Sequence, residues 1–253
     1  MQTTLPPVDF LSYPVFAGTL DSIALNTKKV FNTINQYSYC VAETNSDFRE
    51  ALQESDVLLP DGIGVVLSVK FLSGQTINKI AGADIHQYML THYNELSGSC
   101  FYLGASDTTL TKIRERVAKN FPNLKVGTYS PPYKAHFSEE DSSKMVEAVN
   151  TFKPDVLFVG MTAPKQETWI HQHKNQLDVK QICAIGAVFD FYAGTVNRPS
   201  QVWIDMGLEW FVRLLKEPKR MWKRYLIFGP RFLGYIIDEK FKNFRRISAK
   251  TQQ

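Results

Sequence analysis

An α/β fold, with a mostly parallel sheet flanked by helices and a helical appendage at its C-terminal end, is predicted by three features of this sequence. Short runs rich in Val, Ile, Leu and Phe alternate with segments of helical period from about residue 30 to residue 185, as they do where strands are joined through helices. The Val, Ile, Leu and Phe content of the runs fits strands covered on both faces. Charge is unevenly divided: residues 207–253 hold 12 Lys and Arg against 4 Asp and Glu, of 29 and 25 in the whole chain. The formal charge of +4 therefore resolves into a body of −4 and a tail of +8. At 253 residues the chain is long enough for one Rossmann-like domain with an appendage.

Strands are expected at residues 30–34, 57–59, 100–104, 125–128, 156–160 and 181–185. Between them, helices have recognisable starts. Ser46 precedes Asp-Phe-Arg-Glu; Pro60-Asp61-Gly62 precedes a helix over 62–71; Asp84 opens one over 85–96; Asp107 caps 108–120. Ser138 with Glu139, Glu140 and Asp141 opens the helix that runs to Phe152, its carboxylates facing the positive dipole end. Arg198-Pro199-Ser200 closes the body, dividing an α/β domain, 1–198, from a helical tail, 199–253. In the tail, helices over 203–216, 218–228 and 230–244 begin at or near prolines, which a first turn tolerates. Trp210, Phe211, Leu214 and Leu215, and later Phe232, Leu233, Ile236 and Ile237, recur at three-to-four spacing. Arg213, Lys216, Arg220, Lys223 and Arg224 interleave with them, so the tail is amphipathic and basic, suited to an anionic partner.

Composition excludes several classes. With 44% hydrophobic and 21% charged residues the chain is not disordered. No apolar run approaches the ~20 residues of a membrane span, and mean hydropathy is −0.21. The first residues lack the basic and apolar regions of a signal peptide. Cys40, Cys100 and Cys183 are odd in number and far apart in apolar stretches, as buried reduced thiols of a cytosolic protein are. There is no GxGxxG turn, GxxxxGK[ST] loop, HExxH, GxSxG elbow or DxD pair. Glu167, His171 and His173 share a helix but lack further ligands for a metal, so a solvated face is the better reading.

Three constellations fall at the C-terminal edge of expected strands, where open α/β sheets bind ligands. In Leu58-Leu59-Pro60-Asp61-Gly62-Ile63-Gly64, a carboxylate follows a buried strand among apolar neighbours. Its pKa should be raised, fitting a general base; a helix N-cap in a Pro-Asp-Gly turn is an equally good reading. Ala163-Pro164-Lys165-Gln166-Glu167 puts a cation, an amide and a carboxylate at a helix start. Gly186-Ala187-Val188-Phe189-Asp190-Phe191-Tyr192-Ala193-Gly194 offers small residues and aromatics for a close-fitting wall. Together they predict one ligand cleft.

These residues, with Ala81-Gly82-x-Asp84, Arg198-Pro199 and the tail run Gly207-Leu208-Glu209-Trp210-x-x-Arg213-Leu214-x-x-Glu217-Pro218-x-Arg220-x-x-x-Arg224-Tyr225, occur in an order that resembles the WecG/TagA/CpsF glycosyltransferase family. The resemblance covers about residues 33–232. It implies inverting, metal-independent transfer of N-acetylmannosamine or a related hexose from a UDP-sugar to a sugar on a polyprenyl diphosphate, in cell-surface polysaccharide synthesis. Asp61 falls on the family's proposed general base. Thr33 and Asn35 fall on a Thr-x-Asn motif lining the same pocket, and Gln166 on a substrate-pocket residue. Arg213, Arg220 and Arg224 fall on tail cations thought to approach the donor diphosphate. Gly62, Asp84, Lys165, Glu167 and Asp190 belong to the same motifs and are expected to bind substrate. So is Lys79, which stands where an arginine is expected and lacks its bidentate geometry. No cofactor is expected.

Elementary chemistry leads the same way. Inversion needs one base for the attacking hydroxyl and, without a bound cation, arginines for the departing diphosphate. A lipid-linked acceptor needs a protein seated on a bilayer it does not span, and a basic amphipathic tail supplies that. The expected placement is peripheral, on the inner face of the cytoplasmic membrane, and a homo-oligomer is compatible with the sequence. Two other readings use the same features: the same fold with a UDP-glucose or uronic-acid donor for exopolysaccharide, and a non-catalytic module binding anionic lipid or nucleic acid. The helical spacing of the tail aromatics argues against nucleic acid, since it marks them as packing or membrane contacts.

Overall fold

The computed structural model describes residues 6–196, 200, 202–203, 206 and 208–250, without the side chains of Arg220 and 246–250. Eight strands form one sheet: β1 (Val8–Phe10), β2 (Tyr13–Val15), β3 (Lys29–Ile34), β4 (Val57–Pro60), β5 (Ser99–Gly104), β6 (Lys125–Tyr129), β7 (Val156–Gly160) and β8 (Gln181–Ala184). Their order is β1-β2-β4-β3-β8-β7-β5-β6, parallel throughout except for the β1–β2 hairpin. All six strands expected from the sequence are present, and the helices between them carry the crossovers that parallel pairing requires.

Period two sorts each strand between two helical layers. Val57 and Leu59 of β4, with Val156 and Phe158 of β7, pack under α4 (Gly82–Glu95), α5 (Asp107–Asn120) and α8 (Val188–Tyr192). Leu157 and Val159 point the other way, against α6 (Glu139–Phe152) and α7 (Lys165–His173). Leu58 faces that same side, in a cluster built by α1 (Gln36–Ala42), α2 (Ser46–Gln53), α3 (Ile63–Ser73) and the hairpin. The three cysteines are buried and unpaired, and burial raises each thiol above its ordinary pKa.

Several helix starts shift by a residue or more. Asn45, not Ser46, caps α2 by accepting the Phe48 N–H at 3.0 Å, and Ser106, not Asp107, caps α5. Asp84 sits inside the first turn of α4, where its Oδ2 accepts the Ala81 N–H at 2.7 Å. Ser138 caps α6 in a capping box with Asp141, as expected. The hairpin β1–β2 was not anticipated because its turn uses Leu11 (φ 52) and Ser12 (φ 70) rather than Gly or Asn. Asp9 supports it by accepting the Ser12 N–H at 2.9 Å.

The tail contains α9 (Glu209–Lys216), α10 (Pro218–Trp222), a π turn over Lys223–Ile227 and α11 (Phe228–Lys250). The sequence predicts a break at Pro230, but the π turn carries the backbone through: the Phe228 N–H reaches back five residues to the Lys223 carbonyl, and Pro230 falls in the first turn of α11. The boundary at Arg198-Pro199 and part of the helix expected from residue 203 lie outside the described residues. Phe232 and Ile236 of α11 are buried beside Phe10 and Tyr39, so this part of the tail shares a core with the hairpin and α1. Trp210, Phe211, Leu215, Leu233 and Ile237 remain exposed. Among the described residues no helix is long and apolar enough to cross a membrane.

Candidate active site

The C-terminal ends of β3, β4, β5, β7 and β8 open into one cleft of ≈ 1120 Å³. Its floor is glycine-dependent. Gly104 (φ 127) ends β5 opposite Gly160 of β7, and a Cβ on Gly104 would lie 2.3 Å from the Gly160 carbonyl oxygen. The first turns of α4, α5 and α7 line the walls through Gly82, Asp107 and Lys165, so positive helix ends converge on the space.

Asp61 follows β4 directly. Its N–H donates to the Ile34 carbonyl at 2.9 Å, which pins the turn, and Gly62 (φ 117) lets the chain swing into α3. The Asp61 side chain makes no cap for α3, so of the two readings left by the sequence the N-cap is not the one adopted. Its carboxyl is pushed up to about 6, chiefly by burial and then by the neighbouring Glu209; Lys79 and Arg213 oppose this, and Asp84 adds to it. Thr33, at the end of β3, lines the same cleft. Asn35 lines it too, but its Oδ1 caps α1 by accepting the Tyr37 and Ser38 N–H groups, both at 3.0 Å.

On the opposite wall Gln166 and Glu167 are buried at the start of α7. Gln166 Oε1 accepts the Met161 N–H at 3.0 Å, and Nε2 donates to Glu167 Oε1 at 2.9 Å. Glu167 Oε2 has no hydrogen-bond partner among the described residues, and burial pushes the carboxyl up to about 7. Its folded pKa lies above the unfolded value, so its contribution to stability is present at low pH and lost as pH rises through 7. Glu167→Gln, which can still accept from Gln166, should raise the melting temperature at pH 8 and leave it nearly unchanged at pH 4; equal shifts at both would contradict this. Lys165 stacks over Phe137 at 3.7 Å and donates to the Lys134 carbonyl. Asp190 lines the cleft and holds the next turn through its carbonyl, which accepts the Thr195 and Val196 N–H groups.

The tail contributes the third wall. Glu209, Arg213 and Arg224 all line the cleft. Lys79 does not line it; it pairs with Glu209 at 3.4 Å and so ties α9 to the body. Arg213 lies over Phe191 at 5.5 Å, and its Nε is buried without a hydrogen-bond partner among the described residues. Arg224 lies over Tyr37 at 4.3 Å. The Arg220 side chain lies outside the described residues.

The cleft thus gathers Thr33, Asn35, Asp61, Lys165, Gln166, Glu167, Asp190, Arg213 and Arg224, with Gly62 and Asp84 serving the backbone at its edge. Sequence reasoning missed Ser106, Tyr37 and the loop after β6, where Ser130, Pro131, Pro132 and Lys134 form a rim; the Pro-Pro pair directly after a strand was its one visible signal. His171 lies 3.9 Å from Glu50 of α2 and 3.8 Å from Glu54 at the C-cap of that helix, and none of the three lines the cleft.

A family model described as "Glycosyl transferase WecG/TagA/CpsF family" matches residues 4–246. The N-acetylglucosaminyldiphosphoundecaprenol N-acetyl-beta-D-mannosaminyltransferase of Bacillus subtilis (strain 168) is 30% identical over 213 residues, 84% of this chain and 81% of that protein. The protein of the same name from Bacillus spizizenii is 30% identical over 83% of this chain and 77% of its own. A Staphylococcus aureus (strain MW2) protein of that name is 27% identical over 79% and 76%. With a cleft on the sheet's C-terminal edge and a match spanning nearly all of its length, this chain belongs to the WecG/TagA/CpsF glycosyltransferase family.

Proposed function

We propose that this protein transfers a sugar from a UDP-sugar to the sugar of a polyprenyl-diphosphate-linked acceptor, with inversion, in the synthesis of a cell-surface polymer. The observation that carries this reading is one cleft lined by Asp61, a carboxyl raised toward neutrality, together with Arg213 and Arg224. The relatives' names supply the acceptor class, N-acetylglucosaminyl diphosphoundecaprenol, and N-acetylmannosamine as the first donor sugar to try.

In the single displacement, Asp61 takes the proton of the acceptor hydroxyl as its oxygen attacks the anomeric carbon. The glycosidic bond to UDP breaks on the opposite face, and the departing diphosphate gains charge that Arg213, Arg224 and the converging helix N-termini meet. Gln166, fixed by Met161 and Glu167, and Thr33 are positioned to orient the sugars. The enzyme works from the inner face of the cytoplasmic membrane, held there by the tail's exposed apolar and basic groups.

A panel of UDP-sugars assayed against undecaprenyl-diphosphate-linked N-acetylglucosamine tests the reading. Turnover with UDP-N-acetylmannosamine is expected, and absence of turnover with every UDP-sugar would refute it. The diphosphate is handled by arginines, so saturating EDTA should leave the rate within about twofold of the untreated value, whereas tenfold inhibition would indicate metal-assisted departure.

A further inference from the structure

Helix α3 starts one residue beyond Asp61-Gly62 and carries an exposed apolar stripe away from the cleft. Ile63, Leu67 and Phe71 follow at i, i+4 and i+8, 41%, 57% and 52% exposed, over roughly 12 Å, while Val65, Ser68 and Val69 face the core. α11 runs beside α3 in the same direction. A Cβ on Gly64 would meet Phe232 at 4.0 Å, and further along Lys240 donates to the Phe71 carbonyl at 2.7 Å and lies over its ring at 4.8 Å. Leu233, Ile237 and Phe244 of α11, all exposed, lie on the flank nearest Lys240 by helical spacing, so the two helices present one apolar surface. Lys70 and Lys240 stand at its far end, where cations suit a lipid headgroup layer.

We propose that the stripe Ile63–Leu67–Phe71, flanked by α11, is the binding track for the first isoprene units of the acceptor's polyprenyl chain. The proposal rests on the lipid-linked acceptor argued above. Continuity with the site selects this occupant: a sugar hydroxyl held at Asp61 leaves its lipid one sugar ring and a diphosphate away, and an exposed apolar stripe runs from Ile63, two residues past Asp61, through Leu67 to Phe71 at the cationic end. A contact that served only to hold the protein on a bilayer would have no reason to begin at the reacting carboxylate.

Two measurements test the track. In the first, Leu67→Ser/Phe71→Ser is assayed with a long-chain and a dimethylallyl version of the same diphosphate-sugar acceptor. Loss of two apolar contacts should raise KM for the long chain by about tenfold or more, with kcat, the KM of the dimethylallyl acceptor and vesicle binding unchanged. Equal losses on both acceptors, or loss of vesicle binding, would overturn the proposal. The second does not depend on turnover. The native thiols are buried, so the thiol introduced by Leu67→Cys is open to selective maleimide labelling. Farnesyl diphosphate should slow that labelling several-fold, inorganic diphosphate should not, and neither should affect Leu96→Cys, an exposed position at the far end of α4. No protection, equal protection at both positions, or protection at Leu67→Cys by neutral vesicles alone would refute the track. Protection by farnesyl diphosphate in an enzyme that transfers sugar to neither acceptor would instead support the track and refute the proposed reaction.

Discussion

Asp61→Asn should lower kcat by about 10²–10⁴, the contribution of a general base, while the protein folds and melts at a higher temperature at pH 8. Loss and gain have one cause. Burial and the adjacent Glu209 hold the carboxyl at about 6, above its ordinary 3.8. Its contribution to folding stability is present below pH 3.8 and is lost as pH rises through 6. At pH 8 the wild-type protein carries an ionised carboxylate that its surroundings disfavour, and the amide removes that cost while leaving no base. The wild-type pH–rate profile should show the same group: kcat/KM falls tenfold per pH unit below about 6 and is flat above it. Thermal melts at pH 4 and pH 8, with single-turnover rates, check both halves. An Asn variant of wild-type rate, or one destabilised at pH 8, would remove Asp61 from its role.

The second large effect is expected at the tail arginines. Arg213→Ala should reduce kcat by about 10²–10³, as loss of one donor to a developing anion does, and should move the acid limb set by Asp61 to higher pH, because Arg213 holds that pKa down. Its Nε is buried without a hydrogen-bond partner among the described residues, and a buried cationic donor of that kind favours an anion beside it. Arg213→Lys should recover only part of the loss, because an ammonium cannot reproduce the planar fork. Arg224→Ala should cost less at the same step, since Arg224 is also braced on Tyr37. Stopped-flow measurement of UDP release and the chemical step separates these from binding defects. A change confined to the KM of the donor would contradict the leaving-group assignment. Point variants are cleaner here than removal of residues 199–253, because Phe232 and Ile236 share a core with Phe10 and Tyr39.

The parts of the fold governed by local rules were legible in the sequence. The six anticipated strands are short runs rich in Val, Ile, Leu and Phe or, at the edge strand β6, in β-formers, set between helical segments, and their positions follow from that alternation. The hairpin was hidden by a turn built from Leu11 and Ser12, whose positive φ values depend on tertiary support rather than residue type. The tail's continuity past Pro230 was hidden because a π turn leaves no signature in composition. At the site, Asp61, Gln166 and Arg213 were visible as polar groups at strand ends or in a basic tail. What spacing could not give was their partners: that Lys79 ties Glu209, that Asp84 and Asn35 spend their side chains on helix starts, and that Glu209 bears on Asp61. The Lys79–Glu209 pair and the bearing of Glu209 on Asp61 join elements distant in the chain, which only packing brings together; the Asp84 and Asn35 contacts are local, but which of several candidate side chains takes a helix start is settled by the backbone of each turn.

The proposed single displacement, in which Asp61 activates the acceptor hydroxyl, fixes the configuration of the product. Its most direct test is the anomeric configuration of the newly formed linkage, read by proton NMR on product made from a UDP-sugar of known configuration. Inversion relative to the donor is expected; a product with the donor's configuration retained would rule out a single displacement.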